Sequence, residues 1–84
     1  MSEPIYLYSA NLCSDCQKLK AFMDAEGIAY EVRDIRDDPA HAEELQRETG
    51  KLGVPYLKIG SEWIRGYDPA APFSDEFARG LFRR

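Results

Sequence analysis

Two cysteines, Cys13 and Cys16, stand three residues apart where a short apolar run gives way to a helical pattern. No other feature restricts the architecture of this chain as much. A bond across Cys13-Ser14-Asp15-Cys16 closes almost no loop, so it constrains the unfolded chain very little and is a poor structural staple. A secreted mini-protein would carry more cysteines, spread to tie distant segments together. The pair therefore points to chemistry. A helix N-terminus offers unpaired N–H groups and the positive end of the macrodipole, and both favour an anion. Here that anion is the thiolate of Cys13. Such settings lower a free thiol from a pKa of about 8.5 to roughly 3.5–7.5. Cys16, one helical turn on, sits deeper and can attack a mixed disulfide from behind. The same spacing is also half of a zinc site. No second pair exists, and the only histidine, His41, falls on a different helix as an exposed residue. No metal is expected.

The remaining elements follow from periodicity and punctuation. Residues 5–8 are rich in β-formers and read as a strand, and 9–12 as a loop. A helix begins near Cys13 or Ser14 and runs to about Glu26, with Leu19, Phe22 and Met23 on one apolar face and Gly27 as its stop. Residues 28–35 alternate apolar and charged, which predicts a second strand. Asp37-Asp38-Pro39 opens a second helix that runs to about Thr49 and ends at Gly50. Residues 56–59 and 62–64 form a hairpin across Gly60-Ser61, and 66–72 a loop. Ser74, Asp75 and Glu76 start a last helix carrying Phe77, Leu81 and Phe82. The order β-α-β-α-β-β-α predicts an α/β fold. Its first two strands run parallel through a right-handed crossover, its final hairpin is antiparallel, and helices cover both faces of a four-stranded mixed sheet.

Composition narrows the function. The 84 residues fit one domain over 1–84, with 44% hydrophobic and 31% charged residues, as in an ordinary globular chain. A chain of this size buries only about 60–65% of its unfolded surface, enough for one sheet with helices on it. Acidic residues outnumber basic ones 15 to 11, giving a formal charge of −4. Arg83 and Arg84 are the only basic cluster, so nucleic-acid binding is not expected. No apolar stretch is long enough to cross a bilayer. Met1-Ser2-Glu3-Pro4 lacks the marks of a signal peptide, which makes a reducing, cytoplasmic setting the expectation.

Two further segments carry candidate site residues. Gly53-Val54-Pro55 stands directly before a strand, where proline is tolerated because no ladder bond is asked of it. Its peptide bond is cis or trans, since X-Pro bonds carry a small cis penalty. If it packs beside Cys13, the Val54 backbone is free to pair with an extended substrate. In Trp63-Ile64-Arg65-Gly66-Tyr67-Asp68-Pro69, Gly66 allows close approach of backbone or ligand. Asp68 either caps the following turn or accepts a ligand's ammonium group. Asp15 either raises the Cys13 thiol by like-charge repulsion or simply favours the helix dipole.

Together, the Tyr-ending first strand, Cys13-Ser14-Asp15-Cys16, Val54-Pro55 and Gly66-Tyr67-Asp68-Pro69 resemble the glutaredoxin family in order and spacing. The resemblance implies a thioredoxin fold, a nucleophilic Cys13, a resolving Cys16 and a cis Pro55. It also implies substrate contacts from Tyr8, Val54, Pro55, Gly66, Tyr67 and Asp68. The expected activity is dithiol reduction of disulfides in proteins or small molecules, by a monomer with no tightly bound cofactor. The electron donor is glutathione or a flavoprotein of the thioredoxin-reductase type. Family members usually carry Pro-Tyr between the cysteines, Lys in the place of Ala10 and Gly-Gly where Arg65-Gly66 stands. Those positions help to bind glutathione, so their absence favours the flavoprotein, with Lys51, Arg47 and Arg65 as the remaining cations near the site. Trp63, Gly66, Tyr67 and Pro69 are similar to the redoxins that serve ribonucleotide reductase. Two alternatives share the fold. A glutathione-binding module of the glutathione-transferase kind would continue into a helical domain and carry Glu-Ser after the hairpin. An iron–sulfur carrier would bridge two subunits through Cys13 and glutathione.

Overall fold

The computed structural model describes residues 3–10 and 13–82. Asn11 and Leu12 of the expected loop lie outside the described residues, as do Met1, Ser2, Arg83 and Arg84. The elements are β1 (Ile5–Ser9), α1 (Ser14–Ala25), β2 (Glu31–Asp34), α2 (Pro39–Thr49), β3 (Tyr56–Ile59), β4 (Glu62–Arg65) and α3 (Asp75–Leu81). The sheet order is β2-β1-β3-β4. β1 runs parallel to β2, with Leu7 opposite Val32, and antiparallel to β3, with Leu7 opposite Leu57. The β3–β4 hairpin turns at Gly60, whose φ of 61° is a left-handed value that glycine adopts freely. This is the expected mixed four-stranded sheet with three helices.

The main core lies between the sheet and the α1/α3 layer. Leu7 and Leu57 from the central strands meet Leu19, Phe22 and Met23 of α1 and Ala78 and Leu81 of α3. Full burial of a side chain such as Leu19 is worth roughly 1.5–3 kcal/mol in transfer terms. Leu19→Ala would cost about 2–5 kcal/mol once the cavity is included. On the opposite face, α2 buries Leu45 and covers a polar and aromatic cluster. Tyr8, next to Leu7 on β1, points there and meets Glu44 of α2, because successive strand residues face opposite ways.

Local chemistry sets the helix ends. Asp38 caps α2 by accepting the Ala40 N–H at 3.0 Å, with Pro39 in the first turn. Ser74 caps α3 by accepting the Phe77 N–H at 3.1 Å. The end of α1 explains where the second strand departs from expectation. The Ile28 N–H donates to Met23 O at 2.9 Å and the Gly27 N–H to Asp24 O at 3.2 Å, with Gly27 at φ 70°. These are the paired bonds of a Schellman motif, and Ile28 is its apolar anchor against the core. Ile28 thus belongs to the helix stop, and β2 begins only at Glu31. Ser9 departs the other way. Expected in the loop, it is the last residue of β1 and its carbonyl accepts the Ile35 N–H at 2.9 Å. Among the described residues, no helix is long and apolar enough to cross a membrane.

Candidate active site

Cys13 occupies the N-cap of α1, with extended backbone angles (φ −99°, ψ 105°). Its sulfur accepts the Cys16 N–H at 3.1 Å, so it takes the place that a capping oxygen fills in most helices. Cys13 and Cys16 are joined as a disulfide, with Cα atoms 5.2 Å apart. Cys13 is partly exposed, whereas Cys16 is fully buried on the stripe that continues through Leu19 and Met23. The two residues therefore differ in access, Cys13 within reach of solvent and Cys16 closed off from it. Asp15 lies between them in the first turn, partly exposed.

The Val54–Pro55 peptide bond is cis, and Pro55 is buried at the entrance to β3. The turn presents the Val54 carbonyl to the site, 4.0 Å from the Cys13 sulfur. The strand exit beyond β4 braces it, because the Gly66 N–H donates to Pro55 O at 3.0 Å. A Cβ on Gly66 would meet Leu19 Cδ2 at 3.0 Å and Pro55 O at 3.1 Å, so only glycine fits without displacement. Tyr67 lies against Gly53, where its phenol oxygen fills the space a Cβ would need. The Asp68 carboxylate accepts the Ala70 N–H at 2.9 Å, so it serves the turn that Pro69 shapes.

Cys13, Cys16, Val54 and Pro55 are thus brought together, and Gly66 and Tyr67 support the loop that holds them. Tyr8 is not among them, which corrects its expected place in the substrate site. It is fully buried on the α2 face, where its hydroxyl donates to Glu44 Oε1 at 2.5 Å and accepts from Arg33 Nη1 at 2.6 Å. Its ring packs on Trp63 with centroids 5.0 Å apart. Burial first, and then the bond to the Glu44 carboxylate, push the Tyr8 phenol up to about 12. Burial works to raise the Glu44 carboxyl. The Tyr8 hydroxyl, Lys58 at 3.4 Å and Arg33 outweigh it and hold the group below its ordinary value. His41 is half-buried on α2, 3.6 Å from Asp38 and edge-on to Tyr8, rather than exposed.

The nearby cations are dispersed. Lys51 is exposed, Arg47 lies 3.4 Å from Glu48, and the Arg65 guanidinium rests over the Tyr67 ring at 5.5 Å. The hollows between α1 and α3, and beside Tyr6 and Tyr30, are lined by none of the site residues. Two features escaped sequence reasoning. Leu52, just before the cis-proline turn, is 48% exposed. Ser9, placed in a loop by pattern, is fully buried with an unpartnered hydroxyl. Extending the alternation of β1 by one residue, from Leu7 to Ser9, would have put Ser9 inside.

The molecule has the thioredoxin fold, with a cysteine pair at the start of its first helix. The chain belongs to the glutaredoxin family, whose family model matches residues 5–64, and that membership makes it a thiol–disulfide oxidoreductase by class. It is 27% identical over 64 residues to glutaredoxin 3 of Escherichia coli (strain K12), an alignment covering 76% of this chain and 77% of that one. The crystal structure of a glutaredoxin from Archaeoglobus fulgidus superposes with a TM-score of 0.72 at 24% identity, covering all of this chain and 89% of that one. The crystal structure of a buckwheat glutaredoxin–glutathione complex superposes with a TM-score of 0.63 at 25% identity, covering 73% of this chain and 58% of that one.

Proposed function

We propose that this protein reduces disulfides of proteins and small molecules by dithiol exchange, with Cys13 as nucleophile and Cys16 as resolving thiol. The observation that carries the reading is the N-cap position of Cys13, whose sulfur already accepts the Cys16 N–H at 3.1 Å. The helix terminus that donates this bond also stabilises a thiolate. In the reduced protein Cys13 attacks the substrate disulfide, forms a mixed disulfide and expels one substrate thiolate. Cys16 then attacks the Cys13 sulfur, the internal disulfide forms, and the second substrate thiolate leaves. Both thiolates take protons from solvent, and two electrons pass from the cysteines to the substrate. The Val54 carbonyl faces this sulfur and offers an acceptor to an extended substrate chain.

A donor must return those two electrons. The relatives' family uses glutathione as a rule, but glutathione carries two carboxylates that call for cationic partners. Ala10 stands beside the pair without charge, Asp15 adds a negative one, and Asp68 is engaged in its own turn. These features favour a thioredoxin-reductase-type flavoprotein as the main donor and glutathione as a poor one. The protein acts as a single-domain monomer in the cytoplasm. The test is NADPH consumption with a disulfide substrate, once with glutathione and glutathione reductase and once with thioredoxin reductase alone. Turnover is expected chiefly in the second arm, and both Cys13→Ser and Cys16→Ser should abolish it there. Robust turnover confined to the first arm would make glutathione the donor.

A further inference from the structure

We propose that Arg65 is a specificity-determining residue for protein substrates. Its guanidinium receives the carboxylate of an Asp or Glu side chain that lies a few residues from the substrate cysteine. This deepens the disulfide-reducing reading above and rests on it.

Arg65 is the last residue of β4 and is exposed. A run of contacts connects it to the cysteine pair. The Cys13 sulfur lies 4.0 Å from the Val54 carbonyl. Gly53, the residue before Val54, lies against the Tyr67 phenol. The Tyr67 ring in turn carries the Arg65 guanidinium, 5.5 Å from its centroid. Between the two in the chain, the Gly66 N–H donates to Pro55 O at 3.0 Å and ties this segment to the turn. Arg65 is thus one aromatic ring away from Gly53, beside the carbonyl that an extended substrate would meet.

The pairing of Arg65 sets it apart from the other cations near it. Among the described residues, Arg33 pairs with Glu44 at 3.2 Å, Arg47 with Glu48 at 3.4 Å and Lys58 with Glu44 at 3.4 Å. Arg65 has no such carboxylate among them and is held by a ring instead. A guanidinium on an aromatic face keeps the N–H groups of its edge, and these match a carboxylate. The ring also restricts a long side chain beforehand, so less freedom is lost when a ligand arrives. Lys51 is exposed without an aromatic platform among the described residues. Charge around the site is therefore uneven. Asp15 stands in the first turn of α1 and repels an acid placed at the substrate cysteine itself. An acid farther along the substrate chain meets Arg65. Each extended residue advances about 3.3 Å, so positions within about three residues of the cysteine are in reach.

The experiment uses the reduced, full-length protein and synthetic peptides, each dimerised through a single cysteine. The peptides carry either Glu or Gln at each position within that reach. The rate of peptide reduction is followed by acid quench and chromatography. It is read as the Glu-to-Gln ratio within each protein, so that a general loss of activity cancels. At one or two positions the Glu peptide should be reduced about threefold to fivefold faster at low salt, the range of an exposed ion pair. The preference should fade as salt rises. Arg65→Gln should bring the two peptides to parity, and Arg65→Glu should favour Lys at the same position. Lys51→Gln should leave the ratio as it stands. Parity at every position in the unaltered protein, a preference that survives Arg65→Gln, or one that Lys51→Gln removes would overturn the proposal. So would Arg65→Gln slowing the reduction of oxidised glutathione while the peptide ratio holds, which would assign the cation to glutathione. Failure of the underlying reading shows differently, as no reduction of either peptide by the unaltered protein, and overturns both.

Discussion

Gly66 is dictated by contact rather than by a backbone angle. Its missing Cβ leaves room for Leu19 on one side and for the Pro55 carbonyl on the other, the same carbonyl that its N–H binds. Gly66→Ala should cost about 1–3 kcal/mol, as overpacking of a filled site does, and should slow disulfide reduction by shifting Pro55. Thermal unfolding and turnover measured on the same variant check both. Gly53 faces the Tyr67 phenol, so Gly53→Ala should also destabilise, and adding Tyr67→Phe should recover part of the loss by removing the obstructing oxygen. A double-mutant cycle in denaturant measures that coupling. Asp15 adds a negative charge in the first turn beside Cys13. Asp15→Asn should therefore raise the alkylation rate of reduced Cys13 at neutral pH, and an unmoved rate would show the carboxylate uncoupled from the thiol. The motif from Gly66 to Pro69 was legible in the sequence, but its work was not. Spacing identifies residues that recur together, and it does not say whether they touch a ligand or brace the loop that does.

At the scale of elements, every helix and strand was legible, and the largest departure, the late start of β2, has a physical reason. Ile28 alternates with its neighbours as a strand residue would, yet its N–H closes the Schellman motif of α1. An apolar anchor after a helix and the first residue of a strand leave the same mark. The polar cluster beneath α2 was illegible for another reason. Tyr8 meets Glu44 across 36 positions of sequence and Arg33 across 25, and no local pattern carries such pairings. This cluster has a consequence for stability against pH. Tyr8 is raised from 10.0 to about 12 on folding. Its contribution is fully present below pH 10 and is lost as pH climbs toward 12. Glu44 is depressed below 4.5, so its contribution is present above that value and lost as pH falls through the folded pKa. Denaturant unfolding across pH should show both limbs. Tyr8→Phe should cost about 1–3 kcal/mol at neutral pH, because Glu44 and Arg33 lose a buried partner, and its alkaline limb should flatten.

The whole molecule leaves the Cys13 sulfur, the proposed nucleophile, partly exposed at the start of α1. The sheet brings the junction of β1 and α1 together with the cis-proline turn before β3, so that Cys13 and Val54, 41 positions apart in sequence, share one corner. Among the described residues, the hollows between α1 and α3 and beside Tyr6 and Tyr30 lie away from that corner. The overall charge of −4 and the scattered cations suit a donor that docks broadly better than one held by its carboxylates. The central claim is that Cys13 attacks and Cys16 resolves, and trapping tests it most directly. Reduced Cys16→Ser protein is exposed to a disulfide substrate, digested without reductant and mapped by mass spectrometry. A stable substrate adduct on the peptide containing Cys13 is the predicted result, with no such adduct accumulating in the unaltered protein. An adduct on Cys16 in Cys13→Ser, with disulfide reduction retained, would contradict it.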